Sequence, residues 1–227
     1  MSVAYNAGMT LSADEHYMRL ALEQAARAAQ MGEVPIGAVV VADAGLAHGE
    51  TAPGDAAGAF TCGETAAGDA AAAFACGETA GIPAAFPSGE SEAGVPAGSA
   101  PEEYGAAFGA PVASACNRRE TDADPAAHAE FLAVRAAARA LGRWRLFDCT
   151  VYVTLEPCIM CAGLMHQARV GRCVFGAADP KAGALGTLYA VHADERLNHR
   201  FEARGGVLAD ESARLLRDFF ARLREGR

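Results

Sequence analysis

Thr150-Val151-Tyr152-Val153-Thr154-Leu155-Glu156-Pro157-Cys158-Ile159-Met160-Cys161 decides how this chain is read. Its first half, Thr150 to Leu155, is β-branched and aromatic, which predicts a strand. Pro157 to Ala168 then reads as a helix. Cys158 and Cys161 fall three apart on that helix, so their sulfurs share one side, one turn apart. A helix N-terminus carries partial positive charge and stabilises thiolates. Two such sulfurs at the end of a strand predict half of a metal site.

The other half lies upstream, at His128-Ala129-Glu130. Pro125 suits a first helical turn, and a helix is expected from about Ala126 to Leu141. One histidine nitrogen and two thiolates make three ligands for Zn²⁺. Three protein ligands leave the fourth position for water, the pattern of a catalytic rather than a structural site. Zinc-bound water ionises near neutral pH and becomes a nucleophile. Glu130, two residues after His128, can approach that water without ligating and can carry its proton. His48, His166, His192 and His199 are read as surface or packing histidines, Cys149 and Cys173 as small core residues, and Cys116 as lining a loop.

Around these motifs the chain alternates helix and strand. Ser12-Ala13-Asp14-Glu15 is a capping box opening a helix to about Met31, with Met18, Ala21, Leu22, Ala25 and Ala29 on one face. Gly32 stops it. Ile36 to Val41 is a buried strand, Asp43-Ala44-Gly45 a turn, and Leu46 to Gly49 the start of a returning strand. Arg172 to Phe175 is a short strand, Gly206 to Leu208 an edge strand, and Asp210 caps a last helix to about Arg224. Such alternation predicts an α/β fold, a sheet covered by helices on both faces.

The chain has 227 residues, 52% of them hydrophobic, which is enough for a sizeable core. No run of 18 apolar residues exists, and Met1 to Leu11 lacks the pattern of a secretory signal, so no membrane span is expected and the location is read as cytoplasmic. Seven cysteines, an odd count, argue against a disulfide framework. The net charge is −9, which taken whole speaks against a nucleic-acid partner. The charge is not evenly spread. No lysine or arginine falls between Arg27 and Arg118, and residues 51–110 carry −8, leaving −1 on the remainder.

Residues 51–110 also hold twenty alanines and eleven glycines. Gly54 to Ala67 is echoed at Gly68 to Gly81, and Gly-Glu-Thr recurs at 49, 63 and 77. Two copies of so short an Ala/Gly unit cannot stack a core. Residues 51–112 are therefore read as a low-complexity, disordered insertion, with Cys62 and Cys76 as exposed thiols. Residues 12–50 and 113–224 form a single catalytic domain.

His-x-Glu together with Pro-Cys-x-x-Cys resembles the signature of the zinc nucleobase deaminases. Flanking stretches resemble specifically the bacterial tRNA-specific adenosine deaminases of the TadA type: Glu33-Val34-Pro35-Ile36-Gly37-Ala38-Val39, Asp124-Pro125-Ala126-Ala127-His128-Ala129-Glu130, Tyr152 through Gly163, Val174-Phe175-Gly176-Ala177, Asn198-His199-Arg200 and Asp218-Phe219-Phe220. The similarity spans nearly everything outside the insertion. It implies a three-layer α-β-α cytidine-deaminase-like fold with a central mixed five-stranded sheet. It implies conversion of adenosine to inosine at wobble position 34 of a tRNA, typically an arginine tRNA, by a homodimer with one Zn²⁺ per subunit. By resemblance, His128, Cys158 and Cys161 hold zinc, Glu130 shuttles protons, and Asn117 contacts the base. Val34, Pro35, Ala129 and Leu155 wall the nucleoside pocket. Asp179 and Lys181, the chain's one lysine, match a loop over the anticodon strand. Phe219, Arg222 and Arg224 meet RNA by stacking and phosphate contact.

The chain departs from the family pattern at Arg118-Arg119, where Arg-Pro is usual, at Ala126 in place of threonine, and at Ala178 in place of a basic residue. The competing functional readings are a deaminase of free guanine or cytosine and a catalytically idle, zinc-stabilised subunit. The insertion is expected to emerge near the pocket rim, where its acids would repel phosphate. Deleting residues 52–112 is expected to leave deamination intact or improved, more so at low salt. Rates on an anticodon stem-loop at two ionic strengths check this, and a large loss of fold or rate would show that the segment is structured.

Overall fold

The structure, a computed structural model, describes residues 12–42 and 110–225. The expected turn at Asp43-Ala44-Gly45, the strand at Leu46 to Gly49, the repeats, His48, Cys62 and Cys76 lie outside those residues.

Helix α1 is Ala13–Gln30, followed by strands β1 (Gly37–Ala42) and β2 (Ala113–Cys116). Helix α2 (Ala129–Ala140), strand β3 (Cys149–Leu155), helix α3 (Ile159–Gln167) and strand β4 (Arg172–Ala177) come next. A 3-10 turn at Val191–Ala193, strand β5 (Glu202–Arg204) and helix α4 (Ala209–Glu225) complete the order. The five strands form one sheet in the order β2-β1-β3-β4-β5. β1 runs antiparallel to β2 and β3, while β3, β4 and β5 are parallel. This is the expected mixed five-stranded sheet.

Side-chain alternation along the strands sorts the core into two layers. Ala38, Val40, Val151, Val153, Cys173 and Phe175 face one way and pack under Ala133, Val134 and Ala137 of α2 and Met165 of α3. Val39, Val41, Tyr152 and Val174 face the other way and pack under Tyr17, Met18 and Ala21 of α1. Helix α4 lies on the α1 side, against β4 and α1. The result is a three-layer α-β-α arrangement.

Ser12 caps α1 in both directions: its hydroxyl accepts from Glu15 N (3.3 Å) and its N–H donates to Glu15 Oε2 (3.2 Å). The buried face of α1 includes Tyr17 and Ala28 as well as the expected Met18, Ala21, Leu22 and Ala25, while Ala29 is half-buried. Gly37 lets β1 run close under this helix; a Cβ there would sit 2.2 Å from Ala21 O and 2.4 Å from Ala25 N.

One carboxylate ties α1 across three strands. Asp14 is 7% exposed. It accepts a two-pronged bond from Arg172 of β4 (2.7 and 2.9 Å), a bond from Arg204 of β5 (2.7 Å) and one from the Tyr152 hydroxyl of β3 (3.0 Å). Arg172 also bonds Glu202, its register partner on β5 (3.1 Å).

Several boundaries differ from the sequence expectation: α3 starts at Ile159 rather than Pro157, with Cys158 as its N-cap, and β4 runs on to Ala177 rather than ending at Phe175. The edge strand is Glu202–Arg204, not Gly206 to Leu208, because Gly206 (φ 91°) and Leu208 (φ 52°) are left-handed and cannot extend a ladder. Helix α2 starts at Ala129, not Ala126, because Asp124 Oδ1 takes the Ala126 N–H (2.8 Å) and its carbonyl the Ala127 N–H (3.1 Å), folding that stretch into a turn. Asp210 is inside the first turn of α4 rather than at its cap. Among the described residues no helix is long and apolar enough to cross a membrane.

The hydrogen bonds from Arg172 hold the Asp14 carboxyl below its ordinary range. Its contribution to stability is therefore complete above the unfolded-state pKa of about 3.9 and is lost as pH falls through the lower folded value. Asp14→Asn should lower stability by about 2–3 kcal/mol at pH 7. The gap from wild type should shrink progressively below about pH 4. Urea unfolding of both proteins across that range measures it.

Candidate metal and catalytic centre

β3 ends at Leu155, and Glu156-Pro157 carry the chain to Cys158, the N-cap of α3 (ψ 173°). Cys161 sits in the first turn of that helix. His128 is the N-cap of α2 (ψ 146°). Because α2 and α3 cover the same sheet face, their N-termini meet. His128 Nδ1 lies 3.6 Å from Cys158 Sγ and 3.7 Å from Cys161 Sγ. One ligand atom each from His128, Glu130, Cys158 and Cys161 all fall within 4.8 Å of one another, the one such group among the described residues.

The donor set fits zinc. A tetrahedral ion with Zn–S about 2.3 Å and Zn–N about 2.0–2.1 Å sets nitrogen and sulfur about 3.6 Å apart. A hydrogen bond from the Cys161 thiol pulls Cys158 down to about 4, a thiolate at neutral pH. The same bond and burial push Cys161 up, so the pair shares a proton that a cation would displace. The bond to Cys158 raises His128.

Glu130 is 4% exposed, and its Oε2 is buried without a hydrogen-bond partner. A buried carboxylate oxygen left unpaired is costly unless something polar comes to meet it. Burial pushes the Glu130 carboxyl up, toward the range where it can both take and give a proton.

Asn117 follows β2 directly and is buried. The next residue, Arg118, donates its N–H to Ala127 O (3.0 Å), which sets Asn117 alongside the chain entering His128. Asn117 Nδ2 donates to Glu33 Oε2 (2.9 Å). Val34 and Pro35 follow Glu33, half-buried and buried. Ala129 is fully buried between His128 and Glu130, and Leu155 is half-buried at the end of β3.

The loop after β4 is wrapped around one carboxylate. Glu156 is 2% exposed. Its Oε1 accepts the N–H groups of Leu185 and Thr187 (3.0 Å each), and its Oε2 accepts Asp179 N–H (3.0 Å) and the Thr187 hydroxyl. Gly183 lies against it; a Cβ there would be 2.3 Å from Oε2. Ala184 N donates to Pro157 O (2.9 Å), joining this loop to the cysteine helix. Asp179 Oδ1 accepts Lys181 N–H (2.9 Å), and the Lys181 side chain is exposed.

At Phe219 the structure corrects the sequence expectation. Its ring is buried (6% exposed) within the α4 face that meets the sheet, so it cannot stack on a base. Phe220, edge-on to it at 5.4 Å, is the exposed aromatic, and Arg222 and Arg224 are exposed beyond it. Cys149 and Cys173 are core residues. Cys116 is buried as the last residue of β2 rather than lining a loop. His199 packs with Phe147, Phe201 and His166, and His192 packs with Phe201. Sequence reasoning assigned no role to Glu33 or Glu156. The available signal was the same for both, an acid flanked by apolar residues where a buried strand begins or ends.

The family model for MafB19-like deaminases matches residues 12–224. A tRNA-specific adenosine deaminase of Bacillus subtilis (strain 168) is 50% identical over 114 residues, covering 50% of this chain and 71% of that protein. One from Haemophilus influenzae is 32% identical over 212 residues, covering 93% and 86%. A solved tRNA:A34 deaminase superposes with a TM-score of 0.58 at 29% identity, over 88% of this chain and 99% of that one. A guanine deaminase from Nitrosomonas europaea (TM-score 0.53, 21% identity, 95% and 89% covered) shares the fold. The chain belongs to the MafB19-like deaminase family.

Glu156→Gln replaces an acceptor-only group with one that must point an amide at backbone N–H donors. Backbone amide exchange at Leu185 and Thr187 should quicken by about tenfold or more while exchange in β3 and β4 is unchanged. Site-resolved hydrogen exchange measures this.

Proposed function

We propose that this deaminase converts adenosine to inosine at wobble position 34 of a tRNA anticodon, an arginine tRNA, as a cytoplasmic homodimer binding one Zn²⁺ per subunit. The observation that carries the reading is the buried Glu130, with an unpaired oxygen, beside an open three-ligand set. A closed structural metal site has no use for that carboxylate, which argues against an idle subunit. The named relatives, and the similarity extending to the last helix, favour tRNA over free guanine or cytosine.

His128, Cys158 and Cys161 would hold the zinc, which when bound supplies a water acidified to near neutral pH. Glu130 would carry a proton from the attacking water to N1 of adenine. It then passes the second proton to the departing amine. The water oxygen ends on C6, the C6–N6 bond breaks, and ammonia leaves. Desolvation around Glu130 suits it to both transfers.

Val34, Pro35, Ala129 and Leu155 would wall the nucleoside pocket, and Asn117 would hold the base by its amide. An anticodon loop is single-stranded already, so turning one base into the pocket requires only a few kcal/mol. Asp179 and Lys181, set by Glu156, would face the anticodon strand. Phe220, in place of Phe219, would offer a stacking surface, with Arg222 and Arg224 on phosphates. Residues 12–50 and 113–224 constitute the deaminase domain and residues 51–112 an insertion within it.

The deciding experiment offers an arginine-tRNA anticodon stem-loop, free guanine and free cytosine in parallel. Inosine formation with the bases untouched supports the reading, and the reverse overturns it. Glu130→Ala should keep its zinc, measured by metal analysis, and lose turnover by at least about a thousandfold. Retained inosine formation in that variant would remove Glu130 from the mechanism.

A further inference from the structure

Glu33 is the most deeply buried acid near the pocket wall that the mechanism does not use. It is 1% exposed, and Asn117 beside it is 3% exposed. Its two oxygens are divided between two partners. Oε2 takes the Asn117 side-chain N–H at 2.9 Å, and Oε1 takes the Thr121 backbone N–H at 2.6 Å. Thr121 belongs to the segment between β2 and His128, and Asn117 directly follows β2. Among the described residues, Asn117 Oδ1 and the second side-chain N–H take no hydrogen-bond partner.

We infer that Glu33 is a positioning residue that fixes which way the Asn117 amide faces, and so makes Asn117 present one acceptor and one donor to the substrate base. The inference rests on the proposed role of Asn117 at the base.

The chemistry admits one arrangement. An ionised carboxylate has no hydrogen to donate. Turning Oδ1 of Asn117 toward it would set two acceptors against each other in a buried place, which is unfavourable. The amide is thereby locked with nitrogen inward. The Thr121 bond in turn locks the carboxylate. Burial opposes ionisation of Glu33, yet hydrogen bonds from the Thr121 and Glu120 backbone outweigh it and hold the group below the usual carboxylate range. The face left for a ligand is Oδ1 with one N–H, and an amide edge of this kind is a known match for the donor–acceptor pair on an adenine edge.

Glu33→Gln tests this with little change of shape. The introduced amide can still accept from Thr121, but it turns its own N–H₂ toward Asn117. Asn117 must then rotate to bring Oδ1 inward and show the substrate two donors. On the anticodon stem-loop, KM should rise about tenfold or more, with kcat within about threefold and zinc content unchanged. The double variant Glu33→Gln, Asn117→Asp rebuilds the buried hydrogen bond with its polarity reversed. It should recover the thermal midpoint of the wild type but not the KM, because the introduced aspartate has no N–H for the base.

Wild-type KM in Glu33→Gln overturns the inference. So does a double variant that recovers KM along with stability, since that would make Glu33 a scaffold tie only. Should Glu33→Gln fail to fold, the double variant decides in the same way. Wild-type enzyme runs beside both. If it leaves the stem-loop untouched and deaminates free guanine or cytosine, the functional reading falls, and the same KM comparison on that base decides the role of Glu33.

Discussion

The sulfurs of Cys158 and Cys161 each stand within 3.7 Å of the His128 nitrogen, and most of the architecture follows from that closeness. The residues come from the starts of two different helices. Two helix starts can share a point only if both helices lie on one face of the sheet and begin at the same end of it. The parallel run β3-α3-β4 sends α3 back along the face that already carries α2. Small residues on α2, Ala133 and Ala137, let that helix lie close over Val40 and Val151. Both helix dipoles then point at the cluster, where they favour thiolate. The opposite face carries α1 and α4, which pack the sheet from behind.

Four of the five acids buried among the described residues show how the fold distributes donors. Asp14 receives two arginines and a tyrosine and fastens α1 to three strands. Glu33 receives a side-chain amide and a backbone N–H and fastens the segment after α1 to Asn117 and Thr121. Glu156 receives three backbone N–H groups and a hydroxyl and fastens the loop after β4. Glu130 alone among these has an oxygen with no partner. Leaving a buried carboxylate half-satisfied is unfavourable, and proteins tolerate such a group chiefly where a ligand completes it. The contrast separates structural from chemical use of the same functional group more sharply than burial does, since all four are buried alike.

Much of this was legible in the sequence because it depends on local spacing. Cys-x-x-Cys after a β-branched run, and His-x-Glu at a helix start, announce both the cluster of His128, Glu130, Cys158 and Cys161 and the elements that carry it. The capping box at Ser12 and the breaker Gly32 bound α1 correctly. What was not legible depends on long-range contacts. Nothing near Gly206 or Leu208 shows that their backbone turns left-handed, so the edge strand was placed four residues late. Phe219 and Phe220 are chemically identical neighbours, and only the rotation of α4 against β4 decides which one is buried. Glu33 and Glu156 find partners 84 to 88 and 23 to 31 residues away, beyond any local pattern.

The position of β2 carries a consequence of its own. The described chain leaves at Ala42 and returns at Ala110, and Val112 N–H already bonds Val40 O at 2.8 Å. The two ends of the break are thus held side by side by the hairpin ladder. β2 is an edge strand with one neighbour, so sequence placed at this tip interrupts no interior ladder. For a flexible sequence grafted there, the cost of closing the connection grows only with the logarithm of its length. The hairpin tip is therefore a permissive port. A foreign domain could be grafted there, or the enzyme divided there into two complementing fragments, without cutting through the helix pair that builds the metal centre.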